Sequence, residues 1–289
     1  MPSQTIQWFP GHMAKTRRLI TENLKNADAV IEILDARIPY SSRNPEIVRI
    51  CEGKPSLLLL NKASLADPRV TAYWSEKYSN STTACIETDC ISGYGISKIA
   101  PALKELCHEK LERYEQKGMH GRPIKAMVVG IPNVGKSSLI NKLCGSRKAK
   151  VENRPGVTVD KQWVKTPYGI ELLDMPGVLW PKFEDQTVGE NLALTGAIKD
   201  DVLNLDEMAV ILCGRLRKIA PKMLAERYKL TPEDWDGLED WELFELIGKK
   251  RGFLVKGGEI DYDRTANMLI DEFRGTKIGR ISLEVPPQE

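Results

Sequence analysis

Short apolar runs, each ending at a polar loop residue, recur along the first part of the chain: 29–34 ahead of Asp35, 57–60 ahead of Asn61, 83–86 ahead of Asp89, and 126–129 ahead of Gly130. The runs are continuous rather than alternating, which is the pattern of strands covered on both faces. Helical periods fill the intervals, including a long one over 96–116. The alternation therefore predicts an α/β fold, a mostly parallel sheet with helices on both faces. A further pair of runs, 161–165 and 170–173, straddles the turn residues Pro167, Tyr168 and Gly169 and reads as a hairpin, bringing the expected sheet to six strands.

Beyond Pro181 the pattern changes to helical periods alone, over 187–199, 205–219, 222–230, 238–250 and 264–273. Asn204 or Asp206 opens the second of these, and Gly252 follows the basic end of the fourth, Lys249-Lys250-Arg251. A chain of 289 residues is long enough for one sizeable domain and a smaller one. The expected division is 1–181, with an N-terminal extension of about 1–27, and a small all-helical C-terminal domain over 182–289. Trp235 and Trp241 are expected in the helical core rather than on a base-stacking surface. The stretch 118–123, with two glycines and a proline, reads as a joint.

The chemistry sits just past the carboxyl ends of the expected strands, where open α/β sheets bind ligands. Gly130-Ile131-Pro132-Asn133-Val134-Gly135-Lys136-Ser137 matches GxxxxGKS in full. Such a P-loop wraps backbone N–H groups, here those of Val134, Gly135 and the Lys136, Ser137 and Ser138 helix start, around phosphates. Lys136 then reaches the terminal phosphates and the Ser137 hydroxyl meets Mg2+. Arg154-Pro155-Gly156-Val157-Thr158 and Asp174-Met175-Pro176-Gly177 follow it. Asp174 can hold the magnesium shell through water, and the Gly177 N–H can meet a γ-phosphate. A base-reading tetrad, Asn61-Lys62-Ala63-Ser64, comes before the loop, whereas guanine-nucleotide domains normally carry it after.

That order resembles the circularly permuted GTPases. Trp8-Phe9-Pro10-Gly11-His12-Met13, Asp35-Ala36-Arg37-Ile38-Pro39, Ser41-Ser42-Arg43-Asn44-Pro45, the P-loop and 174–181 together are similar to the ribosome biogenesis GTPase A family, over 8–280. The resemblance implies a GTPase switch, with GTP/GDP as ligand, acting in late assembly of the large (50S) ribosomal subunit. Its implied partners are the rRNA and ribosomal proteins of the subunit precursor. Thr158 resembles the switch threonine that joins magnesium, and Cys90 and Ile91 fall where a loop N–H meets guanine O6. Val178 stands where many GTPases carry a water-orienting glutamine, and the family's proposed substitute is His12. Asn133 occupies the position of a K+-binding asparagine in potassium-dependent relatives; a loop asparagine chosen for an unusual backbone angle is the other reading.

Ser64 departs from the family's Asn-Lys-x-Asp, since a hydroxyl cannot copy a bidentate carboxylate. Two substitutes are open: relaxed base choice, or Asp67 swinging in one turn on. The stretch 64–67 also reads as a helix-capping arrangement. Besides the GTPase reading stand a nucleotide-gated RNA- or protein-binding scaffold, suggested by Val178, and a purine nucleotidase of relaxed base choice, suggested by Ser64.

Net charge is only +2, but 1–181 carries +8 and 182–289 carries −6, so an RNA role cannot be read from the total. Lys249, Lys250, Arg251, Arg264, Arg274, Lys277 and Arg280 are the candidate RNA contacts in the helical part. Six scattered cysteines without a CxxC pair are expected as buried reduced thiols, not as a zinc site. With no signal-like N-terminus and no apolar run long enough to span a bilayer, a soluble, cytoplasmic, ribosome-associated protein without a membrane partner is expected.

Overall fold

The structure, a computed structural model, describes residues 10–145 and 163–286, apart from the side chains of 10–12 and 232. A six-stranded sheet runs in the order β3-β2-β1-β4-β6-β5. Its strands are β1 (Ala29–Asp35), β2 (Ser56–Asn61), β3 (Thr83–Glu87), β4 (Ile124–Gly130), β5 (Val164–Lys165) and β6 (Ile170–Asp174). All neighbours pair in parallel except β5 with β6, the hairpin read from the sequence. The order reverses between β1 and β4. There the loops leave opposite faces and open a crevice, and there the P-loop emerges.

Helices cover both faces. On one, α1 (Pro10–Leu24) and α2 (Pro45–Ile50) set Ile20 and Ile47 against Val30, Met127, Val129 and Leu173. Near the β3 edge, α3 (Pro68–Tyr78) packs Val70 and Trp74 on Leu34 and Leu60. On the other face, α4 (Ile99–Leu106) and α6 (Lys136–Cys144) cover Ile31, Leu57, Ala126 and Val128. The expected helix over 96–116 breaks at Cys107, a correction to the sequence reading. A 3-10 turn over Ile96–Lys98 leads into α4, and α5 (His108–Gln116) starts after the break. Ile99, Ala100 and Leu103 of α4 are buried while α5 buries none of its residues. The chain bends where its apolar stripe ends, and α5 is instead held by Lys110 and Tyr114 on Asp28, at 2.6 and 3.0 Å.

The helical part comprises α7 (Gln186–Leu194), α8 (Leu205–Ile219), α9 (Pro221–Tyr228), α10 (Pro232–Trp235), α11 (Asp240–Lys250) and α12 (Tyr262–Arg274). Asn204 is the residue that caps α8, accepting from the Glu207 N–H, and Gly252 ends the α11 segment at φ +69°. Trp235 packs against the core, but Trp241 is 53% exposed, another departure from the sequence reading. Buried side chains of α7, α8, α11 and α12 join those beneath α4 and α6 in one apolar cluster, so the helical part shares a core with the sheet. All six cysteines are free thiols, four of them buried. Among the described residues no helix is long and apolar enough to cross a membrane.

Candidate functional site

The P-loop leaves β4 through two glycines that nothing else replaces. Gly130 has φ +150°, and a Cβ there would come within 2.6 Å of the Ile33 carbonyl oxygen on the neighbouring strand. Gly135 has φ +107°, and its Cβ would lie 2.4 Å from Asn61 Nδ2. The base-reading loop thus touches the phosphate loop at a point where a methyl group does not fit. Asn133 takes the left-handed region at φ +57°, and its Nδ2 donates to the Gly196 carbonyl at 2.9 Å. Its tolerance of that backbone angle is a sufficient reason for an asparagine. Val134 is buried, and Ser137 and Ser138 are half-buried at the start of α6, where free N–H groups favour an anion.

Lys136 is buried, and its ammonium donates to the carbonyls of Gly130 and Ile131 at 3.1 and 2.7 Å. Burial pushes its pKa down to about 8, although the nearby Asp174 carboxylate acts in the opposite direction. Asp174 closes β6. Burial raises its carboxyl, against the pull of Lys136, and Oδ1 is buried with no hydrogen-bond partner among the described residues. An unpartnered carboxylate oxygen, together with the Ser137 hydroxyl at the start of α6, is a donor set of the kind magnesium takes. The residues present therefore fit the ion that the fold family implies. At Gly177 a Cβ would meet Lys136 Nζ at 2.4 Å and the Pro132 nitrogen at 3.0 Å, so 174–177 lies directly against the P-loop. Val178 is buried and its carbonyl accepts from Asn44 Nδ2 at 3.3 Å; its side chain offers no group to orient water.

One buried amide ties three loops together. Asn61 Nδ2 donates to the Val134 carbonyl at 2.7 Å while Asn61 Oδ1 accepts from the Cys90 N–H at 3.1 Å. Cys90 is buried, its thiol pushed up to about 12 by burial, whereas Ile91 is 90% exposed. Lys62 is left-handed at φ +61° and its ammonium lies 2.9 Å from Asp35. Asp35 in turn accepts two bonds from the Arg37 guanidinium, at 2.9 and 2.7 Å. Burial opposes its ionisation, but Arg37 and Lys62 outweigh that and hold the carboxyl well below the usual range.

Ser64 is exposed and donates its hydroxyl to Asp89 Oδ2, while Asp89 Oδ1 accepts from the N–H groups of Ile91 and Ser92, both at 2.9 Å. Asp67 does not swing toward this site. It is the N-cap of α3, accepting from Arg69 and Val70, so the cap belongs to Asp67 and not to Ser64.

The helical part reaches both loops. Arg37 donates to the Thr195 carbonyl at 3.2 Å. Arg274 holds the carbonyls of Leu194 and Ala193, next to the Gly196 that Asn133 contacts, and pairs with Asp200 at 2.8 Å. The chain then returns across the base-reading loop. Arg280 donates to the carbonyls of Ala63 and Ala66, Ile281 N–H to Leu65, and Ser282 accepts from the Asp67 N–H. Glu284 accepts from the Tyr40 and Ser41 N–H groups and from Asn191, and Trp74 donates to its carbonyl at 2.9 Å.

Three of the basic residues expected on an RNA surface are therefore engaged within the fold, although Arg280 stays exposed. Arg274 and Arg280 hold carbonyls, and Arg251 pairs with Glu272 at 3.2 Å. Lys249, Lys250, Arg264 and Lys277 are exposed. His12 falls in the first turn of α1, but its side chain, like Thr158, lies outside the described residues. Sequence reasoning missed Asp89, Arg37 and Glu284 as parts of the site. A buried charge at the carboxyl end of β1 or just past β3 was the available signal for the first two; Glu284 gave none.

Residues 125–224 match the family model described as 50S ribosome-binding GTPase. Over 285 residues the chain is 50% identical to ribosome biogenesis GTPase A of Bacillus cereus, spanning 98% of this chain and 95% of that one. Two solved structures are similar over their whole length. GDP-bound TM YlqF covers 94% of this chain and 100% of its own at 25% identity and TM-score 0.65. GNP-bound YlqF from T. maritima covers 95% and 100% at 26% identity and TM-score 0.63.

Proposed function

The chain belongs to the ribosome biogenesis GTPase A family, and on that premise we propose that it is a GTP-hydrolysing switch in late assembly of the large ribosomal subunit. The observation that carries the reading is the convergence of the buried Lys136, the unpartnered Asp174 oxygen and the tight Gly177 approach on one P-loop. Lys136 exchanges its loop carbonyls for the β- and γ-phosphate oxygens, a charge-assisted contact stronger than the neutral ones it leaves. Ser137, Asp174 and Thr158 would hold a magnesium ion, which would supply charge neutralisation for the transferring phosphoryl group. The Gly177 N–H meets the γ-phosphate, and its loss on hydrolysis releases 174–177 from the P-loop.

Val178 leaves the attacking water without an orienting side chain, a task we assign to His12, with turnover stimulated by the ribosomal particle. The amide nitrogen of Asn133 is committed to Gly196, so only its oxygen is left for a potassium ion beside the phosphates. Lys249, Lys250 and Lys277 are the basic residues we assign to rRNA phosphates.

The test is GTP turnover with and without large-subunit precursors. Wild type is expected to be slow alone and stimulated by the particle. Lys136→Ala removes a contact worth about 1.5–3 kcal/mol and abolishes measurable hydrolysis. His12→Ala lowers stimulated turnover with nucleotide affinity nearly intact, the pattern of a transition-state interaction. Unchanged affinity and turnover in Lys136→Ala would sink the site, full stimulation in His12→Ala would remove His12 from it, and equal rates in potassium and sodium salts would reject the Asn133 assignment.

A further inference from the structure

The base-reading tetrad ends in Ser64, so the guanine N1–H and N2–H groups lack the carboxylate that the Asn-Lys-x-Asp pattern supplies. Asp67, the next carboxylate along the chain, is committed to the Arg69 and Val70 N–H groups at the start of α3. Asp89 is not on that loop at all. It lies just past β3, is 3% exposed, and its Oδ2 accepts the Ser64 hydroxyl. A carboxylate therefore sits one hydrogen bond from residue 64, brought there by the parallel pairing of β2 with β3.

Its placement is fixed from three sides. Oδ1 accepts from Ile91 and Ser92, its own N–H donates to the Tyr94 carbonyl, and its carbonyl accepts from Gly93. The next residue, Cys90, is bound through its N–H to Asn61, the first residue of the tetrad. Burial works against ionisation of Asp89, but the Ser64 hydroxyl and the N–H groups of Ser92, Ile91 and Ser64 outweigh it and keep the carboxyl below its ordinary pKa.

The geometry points to Asp89 as the carboxylate that reads the donor edge of a guanine base, with the Ser64 hydroxyl orienting it. The inference rests on the nucleotide site proposed above. A carboxylate accepts from N1–H and N2–H of guanine, whereas adenine turns a lone pair at N1 toward it. Guanine preference is thus kept although the tetrad has lost its own acid. It follows that Ser64→Asp does not improve the site. A second carboxylate would stand within hydrogen-bond distance of the first, and two like charges so placed cannot both stay ionised without cost.

The experiment is equilibrium titration of the full chain, with magnesium, by ribose-labelled fluorescent GDP, XDP and ADP. Asp89→Asn keeps an oxygen for the Ile91 and Ser92 N–H groups, so the loop is retained. It also replaces one acceptor by an NH2 group that donates to the 2-carbonyl of xanthine. GDP is expected to weaken by about 10- to 100-fold and XDP to tighten, reversing the preference. Ser64→Asp alone is expected to weaken GDP by about tenfold, and Ser64→Asp combined with Asp89→Ser to regain guanine preference.

An unchanged GDP-to-XDP ratio in Asp89→Asn, or tighter GDP binding in Ser64→Asp, overturns the inference while wild-type GDP binding leaves the site itself standing. Failure of wild type to bind any of the three overturns both. If Asp89→Asn does not fold, Ser64→Asp and the exchange variant still decide the matter.

Discussion

Lys136 is a lysine whose ammonium is buried against two carbonyls, with a pKa pushed down to about 8 by that burial and the nearby Asp174 carboxylate acting the other way. Below pH 8 it is charged in both folded and unfolded chains. Between about 8 and the ordinary lysine value of 10.5, the folded chain gives up the proton first, so this residue adds stability as pH rises through that window. Phosphate oxygens reverse the balance by favouring the ammonium. GDP binding at pH 8.5 is therefore expected to take up a proton and to weaken as pH rises further, while binding at pH 6 takes up none at this residue. Titration calorimetry in buffers of different ionisation enthalpy measures the uptake directly. Equal heats in all buffers at pH 8.5 would show that Lys136 does not change its protonation.

At the scale of elements, two connections determine how the site responds. The first is the P-loop against 174–177, where Gly177 leaves no space for a side chain beside Lys136. Gly177→Ala forces either the lysine or the segment aside. Since φ at Gly177 is not in the left-handed region, stability should change by only about 1 kcal/mol while GTP turnover falls more than about tenfold. Thermal unfolding and steady-state hydrolysis separate the two, and wild-type turnover in this variant would mean that 174–177 need not approach the loop. The second connection is Asn133 to Gly196, beside the carbonyls that Arg274 holds at the end of α7. That contact is a single hydrogen bond between two left-handed residues, at φ +57° and +79°.

The whole molecule is closed by its own last segment. Residues 280–284 cross from the end of the helical part to the base-reading loop and to the 35–42 region, donating or accepting at Ala63, Leu65, Ala66, Asp67, Arg37 and Ser41. The 61–67 loop is thereby joined to the helical part without passing through the P-loop. A chain ending at Gly279 loses those bonds and leaves Trp74 Nε1, the N–H groups of Asp67, Tyr40 and Ser41, and the carbonyls of Ala63, Leu65, Ala66 and Arg37 to find other partners. Hydrogen bonds of this kind contribute about 0.5–1.5 kcal/mol each, and those from a guanidinium more. The shortened chain is expected to unfold several degrees lower and to bind GDP more weakly, as read by thermal unfolding with and without GDP. A shortened chain with unchanged midpoint and affinity would show the segment to be passive.

The apolar runs determined the sheet on their own, because a continuous stretch such as Leu57–Leu60 must be covered on both faces wherever it lies. The P-loop was legible for a similar reason: Gly130 and Gly135 need backbone angles and clearances that their spacing already declares. The hairpin and the opening of α8 follow from local turn and cap chemistry of the same kind. Partnerships between distant residues were not legible. The meeting of Ser64 with Asp89, 25 residues apart, depends on the pairing of β2 with β3, and that of Tyr40 with Glu284, 244 apart, on the path of the last segment. The engagement of Arg251, Arg274 and Arg280 has the same origin: composition records a charge, but only the fold supplies the carboxylate or carbonyl that it meets. Sequence periodicity encodes what each segment must bury, and tertiary structure alone sets which polar groups arrive within three ångströms of one another.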